Sequence, residues 1–385
     1  MKRIIVSTLI IALILVVCLV SSGCTAQAGS QPATSPTQQS TPQADGKTIT
    51  VTDMANRSVE VKQNPQRIIG VGAGSLRMIS YLNAADLVVG VDDREQKKYN
   101  TSGFGMPSGI DKPYNLANPD LATRPFIGGK TGDPELIAAQ NPDVVFYSFT
   151  TSRDAQTLQE KSGRPVVALV TGDLGKNKET FYQSLRLMAK ILGKEERAEA
   201  ITSYIDGTIK DLNTRTKNIP ADKRPKVYVG GIAYNGAHGF LSTDPGYSPL
   251  MMVNGNNVAA SAGQNGQMMI DKEKLLEWDP DIIFVDEASY SLVKEDLKDP
   301  VYQSLSAVKN NRVYGVMPYN WYANNYDTVL ADAYFIGKTL YPEQFADVDP
   351  AQKADDVYTM LDGKAVYSDM KNLFGGFVPF STLEK

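Results

Sequence analysis

Cysteine and histidine are almost missing from this chain. Of its 385 residues two are cysteine, Cys18 and Cys24, and one is histidine, His238. Residues beyond 24 therefore hold no disulfide and no thiolate metal site. A bare zinc or manganese site, which wants several His or Cys ligands, is disfavoured as well. Long basic runs are lacking and the net charge is −4, which argues against nucleic acid as a partner. No Walker loop, zinc-enzyme motif or Gly-x-Ser-x-Gly elbow occurs. Gly70-Val71-Gly72-Ala73-Gly74 is Gly-rich but lacks the full dinucleotide fingerprint. What remains is ordinary globular material, 42% apolar and 21% charged, in a chain long enough for two domains.

The first residues stand apart. Lys2 and Arg3 precede an apolar run, Ile4 to Val20, that ends in Ser21-Ser22-Gly23-Cys24. A positive start, an apolar stretch and small residues before a cleavage point are the parts of an export signal. The Ser-Gly-Cys ending resembles a lipobox, whose cysteine takes a diacylglycerol and becomes the new N-terminus. Residues 1–24 are thus expected to be a lipoprotein signal peptide with Cys24 lipidated; an uncleaved anchor is the alternative. Residues 25–46 are Ser, Thr, Pro, Gln and Ala with almost no large apolar side chain. Such a segment cannot offset its ordering entropy and reads as a flexible tether. The expected location is the outer face of the cytoplasmic membrane, anchored by the lipid on Cys24.

An internal repeat organises the rest. Asp133-Pro134-Glu135-Leu136-Ile137 leads to Pro142-Asp143-Val144-Val145-Phe146, and Asp271-Lys272-Glu273-Lys274-Leu275 leads to Pro280-Asp281-Ile282-Ile283-Phe284. Asp, Glu, Pro, Asp and Phe recur at a constant offset of 138 residues. Each copy reads as an Asp N-cap, a short amphipathic helix ended by Pro-Asp, and a buried β-branched strand. Further buried strands are expected at 67–71, 87–91, 166–170, 227–230 and 313–316, with a hairpin over 48–61. Alternating strands and helices imply α/β lobes with mostly parallel sheets. The expected division is an N-terminal lobe at 47–192, an interlobe helix at 193–218 and a C-terminal lobe at 219–385. The long helix would act as a stiff brace.

The order of TITVTDMANRSVEV, NPQRIIGVGAGSLRMISYL, ADLVVGV, DPELIAAQNPDVVF, DKEKLLEWDPDIIFV and LSAVKNNRVYGV resembles the helical-backbone class of substrate-binding proteins of ATP-driven (ABC) importers. That class includes cobalamin, ferric-siderophore and haem binders. The tail, GKTLYPEQFADVDPAQKADDVY, resembles a subset that also includes molybdate and tungstate binders. The resemblance implies two Rossmann-like lobes joined by one long helix, with a ligand cleft between them. It implies a monomeric extracytoplasmic binding protein, not an enzyme, that uses no cofactor. Such a protein captures a metal chelate (ferric siderophore, corrinoid or haem) and delivers it to a permease dimer with its ATPase. A molybdate or tungstate binder of the same class is the alternative, and a two-lobed chelatase-like enzyme a more distant one. The resemblance also implies that Glu135 and Glu273, one on each lobe, dock onto the permease. The plain alternative is that both only complement a helix start.

Ligands of open α/β sheets sit on loops at the carboxyl ends of the strands. The candidate ligand-binding residues there are Ser75, Arg94, Tyr147 and Arg153 in the first lobe. In the second they are Tyr234, Asn235, His238, Tyr319, Asn320, Trp321 and Tyr322. Aromatic faces with amide donors suit a flat or bulky ligand. Arg77, Arg94 and Arg153 suit a carboxylate-rich chelate or an oxyanion. No metal is expected to be held directly, although His238 could serve a chelated metal as an axial ligand.

Overall fold

Extended runs with β-branched residues come first. The computed structural model describes residues 47–96, 111–263 and 266–383. The export segment with Cys24 and the tether to residue 46 lie outside them. Thr48–Thr52 (β1) and Ser58–Lys62 (β2) pair antiparallel, and alternation turns Val51, Val59 and Val61 inward. Ile68–Val71 (β3) is wholly buried and passes into Ser75–Tyr81 (α1) through Gly72, at φ 81°. A Cβ at Gly72 would lie 2.4 Å from the Ser148 carbonyl oxygen, so only glycine fits this turn. Pro113–Ala117 (α2), Pro134–Ala139 (α3), Val144–Ser148 (β4), Ser152–Ser162 (α4) and Val166–Leu169 (β5) follow. β3, β4 and β5 form a parallel sheet in that order.

The strand expected at 87–91 does not form. Ala85–Leu87 is a 3-10 turn, and the chain then touches β3 only through a bridge of Val88 to Ile68. By Val91 it has moved away to pair with Phe126. One apolar run therefore serves two neighbours for a residue each, and no ladder develops.

Lys178–Leu192 (α5) ends at Gly193, which adopts φ 65° and whose Cβ would strike the Asn64 side chain at 2.2 Å. Glu195–Thr216 (α6) follows as a single helix of 22 residues, about 33 Å long. Among the described residues no helix is long and apolar enough to cross a membrane.

The second lobe begins with Lys226–Gly230 (β6), Ser242–Thr243 (β7), Ser248–Met252 (α7), Asn256–Asn257 (β8) and Met268–Met269 (β9). Lys272–Trp278 (α8), Ile282–Asp286 (β10), Tyr290–Asp296 (α9), Ser306–Lys309 (α10) and Val313–Val316 (β11) complete it. Its parallel sheet has the order β11-β10-β6-β8, with β7 and β9 as a small antiparallel pair. Tyr326–Leu340 (α11), Pro350–Asp362 (α12) and Tyr367–Phe374 (α13) close the chain. α12 does not stay with the second sheet; it packs against α1 and α2 of the first lobe. One apolar core runs through both lobes, joining Ile68 and Phe146 to Val227 and Phe284 by way of α5, α6 and α11.

The repeat is physical. Asn141 and Asp279, the residues before each Pro-Asp, both adopt positive φ (48° and 39°), which ends the helix. The Asp143 amide donates to the Arg67 carbonyl at 2.7 Å, and the Asp281 amide to the Lys226 carbonyl at 2.8 Å. In return the Asp143 carboxylate accepts from the amides of Gln66 and Arg67 at 2.7 and 3.0 Å, and that of Asp281 from Lys226 at 2.7 Å. Each aspartate thus registers its own strand against the strand beside it. The caps differ. Asp133 accepts from the amides of Glu135 and Leu136, whereas Asp271 makes no side-chain capping bond.

Candidate ligand cleft

Two strand-end loops face each other across the lobes. Thr171 to Asn177 follows β5, and Pro318 to Asn325 follows β11. Between them, with the loop after β6 and the start of α7, lies a cavity of about 340 Å³. Asp173, Lys176 and Asn177 line it from the first lobe. Tyr234, Asp244, Ser248, Gln267, Tyr319, Asn320 and Asn324 line it from the second. The two lobes approach closely at its edge, where a Cβ on Gly175 would lie 3.3 Å from Ser248 Oγ.

The carboxylates in the wall are already engaged. Asp173 accepts from the amides of Gly175 and Asn177 at 2.7 and 2.9 Å, and Asp244 from those of Gly246 and Gly266 at 2.7 and 2.9 Å. They hold the loops in shape. The side-chain amides of Asn177, Gln267, Asn320 and Asn324, which donate to Asp173, Ser242, Ala233 and Gly172, complete the lining with the Tyr319 and Tyr234 rings. Burial lifts the Tyr319 hydroxyl well above its ordinary range, and the negative charges of Asp244 and Asp286 add to this.

The structure scatters the sequence-derived residues. Tyr234, Tyr319 and Asn320 line the cavity, and Tyr234 is 53% exposed. Asn235 is exposed beside it at φ 53°. His238 turns its ring back onto its own loop, Nε2 lying 2.8 Å from the Tyr234 carbonyl. A carbonyl only accepts, so Nε2 donates here. Trp321 is half-buried against Ala233 and Ala288. Arg94 and Arg153 are exposed. Ser75 is buried, its hydroxyl donating to the Val71 carbonyl at 2.9 Å, and Tyr147 is buried in the core with Ile69 and Ile137. Among the described residues no group of three or more His, Cys, Asp or Glu side chains is placed to hold a metal ion.

Sequence reasoning placed Asp244 in a cleft loop, 233–247, but passed over Asp173 to Asn177 and Gln267. The loop after β5 obeys the same strand-end rule as the others, and that rule was the available signal.

Arg77 does not face the open cleft. It is 0% exposed and reaches into the second lobe. Its Nε donates to Asn325 Oδ1 at 3.0 Å, and its Nη2 lies 3.3, 3.0 and 3.3 Å from the carbonyls of Trp321, Tyr322 and Ala323. Tyr322 extends its hydroxyl back to Asp92 Oδ2 at 2.5 Å. Beside this contact the Lys112 ammonium lies 3.0 Å from Glu95 and about as near to the Tyr114 and Tyr322 rings as a cation–π contact requires. Burial pushes the Asp92 carboxyl up to about 7, with the neighbouring Glu95 charge adding and the Tyr322 hydroxyl and Lys112 opposing.

A family model described as periplasmic binding protein matches residues 108–319, more than half of the chain. The chain belongs to this periplasmic binding protein family. Membership makes it a substrate-binding protein of an ABC importer that acts outside the cytoplasm and binds its solute without transforming it. The molybdate-binding protein MolA of Haemophilus influenzae is 26% identical over 332 residues, covering 80% of this chain and 89% of the relative. The Fe(3+)-citrate-binding protein YfmC of Bacillus subtilis is 22% identical, covering 81% and 90%. Among solved structures, molybdate-bound MolA superposes with a TM-score of 0.63 at 22% identity, covering 82% of this chain and 98% of its own. A periplasmic solute-binding protein from Veillonella parvula gives 0.66 at 22% identity, covering 87% and 99%. At these identities the structural likeness establishes the two-lobed fold of this periplasmic binding protein.

Proposed function

We propose that this periplasmic binding protein carries an uncharged metal chelate, such as a ferric hydroxamate, in the cavity between its lobes. The observation behind this reading is the charge of the wall. Among the described residues Asp173, Asp244 and one ammonium-bearing side chain, Lys176, line the cavity, and no guanidinium does. A dianion would meet net negative charge there, whereas an uncharged chelate presenting oxygens and amides finds matching donors and acceptors in Asn177, Gln267, Asn320 and Asn324. At about 340 Å³ the cavity stands at the small end of ligand sites.

A tetrahedral oxyanion, molybdate or tungstate, is the second reading. Similarity to MolA across 80% of the chain favours it. Delivery would use Glu135 and Glu273, which occupy equivalent places in the repeat. Both are exposed in the first turns of α3 and α8, and neither has an ion-pair partner among the described residues. Tethering would use a lipid on Cys24; the relative YvrC of Bacillus subtilis, 21% identical, is itself named a lipoprotein.

Thermal unfolding of the full chain in mild detergent tests the ligand. The panel is a ferric tris-hydroxamate, ferric citrate, cobalamin, haem, molybdate and tungstate. The ferric tris-hydroxamate should stabilise the fold by about 2.7 kcal/mol at a hundred times its Kd. Stabilisation by molybdate or tungstate alone would overturn the chelate reading.

A further inference from the structure

The loop between β11 and α11 is strained in one place. Tyr322 and Ala323 adopt φ 53° and 65°, consecutive left-handed positions without a glycine. Left-handed backbone puts Cβ against the following carbonyl and is unfavourable for both residues. Such a conformation persists only where its surroundings over-determine it. Here the restraint comes largely from the other lobe. Arg77 holds the carbonyls of Trp321, Tyr322 and Ala323 and the side chain of Asn325. Asp92 holds the Tyr322 hydroxyl, and the Gly172 carbonyl accepts from Asn324 Nδ2 at 3.4 Å. The same short loop gives the cavity Tyr319, Asn320 and Asn324.

We infer that Arg77 is a positioning residue for the ligand cavity, a first-lobe guanidinium that holds the strained 319–325 loop in its binding shape only while the lobes are together. This inference rests on the cavity being the ligand site. It explains why a buried cation is spent on carbonyls rather than on a carboxylate. One planar guanidinium fixes five N–H donors in a rigid fork, where an ammonium has only three on a flexible stem. When the lobes part, the carbonyls of Tyr322 and Ala323 lose the guanidinium, the Trp321 carbonyl keeps only Asn325 Nδ2, and the loop relaxes toward right-handed backbone, removing one cavity wall. Solute capture and lobe closure are thereby one event. A solute bound to an open protein would lack half of its contacts, so release follows any step that separates the lobes.

The test needs three substitutions in the full chain. Tyr322→Phe removes one hydroxyl, and Arg77→Lys keeps the charge but not the fork. Ala323→Gly removes one left-handed penalty, which should favour the bound loop shape by about fivefold. Amide hydrogen exchange is followed over 319–326, with β3 and β10 as internal references, and no ligand added. Arg77→Lys should raise exchange at least tenfold in this segment alone, and Tyr322→Phe by less. Adding Ala323→Gly to Arg77→Lys should bring it back several-fold. Unchanged exchange in both single variants, or no recovery on adding Ala323→Gly, would overturn the latch.

Trp321 fluorescence then reports titrations with a ferric tris-hydroxamate and with sodium molybdate. Whichever probe binds the native chain should bind Arg77→Lys at least tenfold more weakly and the double variant less weakly. Equal affinity in native chain and Arg77→Lys would overturn the positioning role even where exchange rises. If neither probe binds the native chain, the ligand reading fails while the exchange data still decide the latch.

Discussion

Asp92 sits among charges that oppose one another. Its carboxylate is buried, meets Glu95 and is answered by Lys112, the Tyr322 hydroxyl and the Arg94 amide. A carboxyl at about 7 in the folded state and near 4 in the unfolded chain leaves the folded protein holding more protons between those values. This group's contribution to stability is therefore greatest below about pH 4 and is lost as pH rises toward about 7. Unfolding midpoints across that range should fall less steeply in Asp92→Asn than in the native protein; parallel profiles would contradict this. Arg77 marks the limit of reading at this scale. The sequence places it one turn into a helix beside a Gly-rich loop, where a solvent-facing or ligand-facing arginine is the natural expectation. Its partners lie 244 to 248 residues away, and no local pattern reports them. The same holds for Ser75 and Tyr147, which stand at the right strand end but turn inward.

Elements were more legible than residues. β3, β4, β5, β6, β10 and β11 each appear in the sequence as a short apolar run, and all are covered on both faces. The hairpin of β1 and β2 follows from alternation around Ala55-Asn56-Arg57, with Asn56 at φ 60°. The run at 87–91 misled because hydrophobicity reports burial, and a buried segment need not find a partner along its whole length. β7, β8 and β9 have two residues each and no periodicity to read. The repeated helix-Pro-Asp-strand unit makes a prediction at this scale. Asp143→Ala removes two charge-assisted bonds from backbone amides and the partner of Lys62, and should cost about 1–3 kcal/mol. Asp281→Ala removes one such bond and should cost about 1 kcal/mol. Urea unfolding of the two variants, with m values held constant, checks the order; a larger loss at Asp281 would refute this reading of the two strand-registering aspartates.

At the scale of the molecule, the glutamates proposed for docking stand apart from the cavity proposed for the solute. Glu135 and Glu273 belong to α3 and α8, which precede β4 and β10, whereas the cavity is lined from the loops that follow β5, β6 and β11. Reversing both charges, Glu135→Arg with Glu273→Arg, should abolish solute uptake by cells and leave solute affinity within about twofold, as expected for charges that set register with a partner. Normal uptake by the double variant would remove the docking role.

The return of α12 to the first lobe has one more consequence. Tyr81 gives its hydroxyl to Asp327, and Arg197 reaches the carbonyls of Met360 and Leu361, 163 and 164 residues further on. The earlier part of the chain thus buries polar groups whose partners come 163 to 246 residues later. A chain entering the extracytoplasmic space N-terminus first cannot finish its own beginning. Its first lobe stays incomplete until α11 and α12 arrive, so the order of delivery is written into the interior as a long wait between a group and its match.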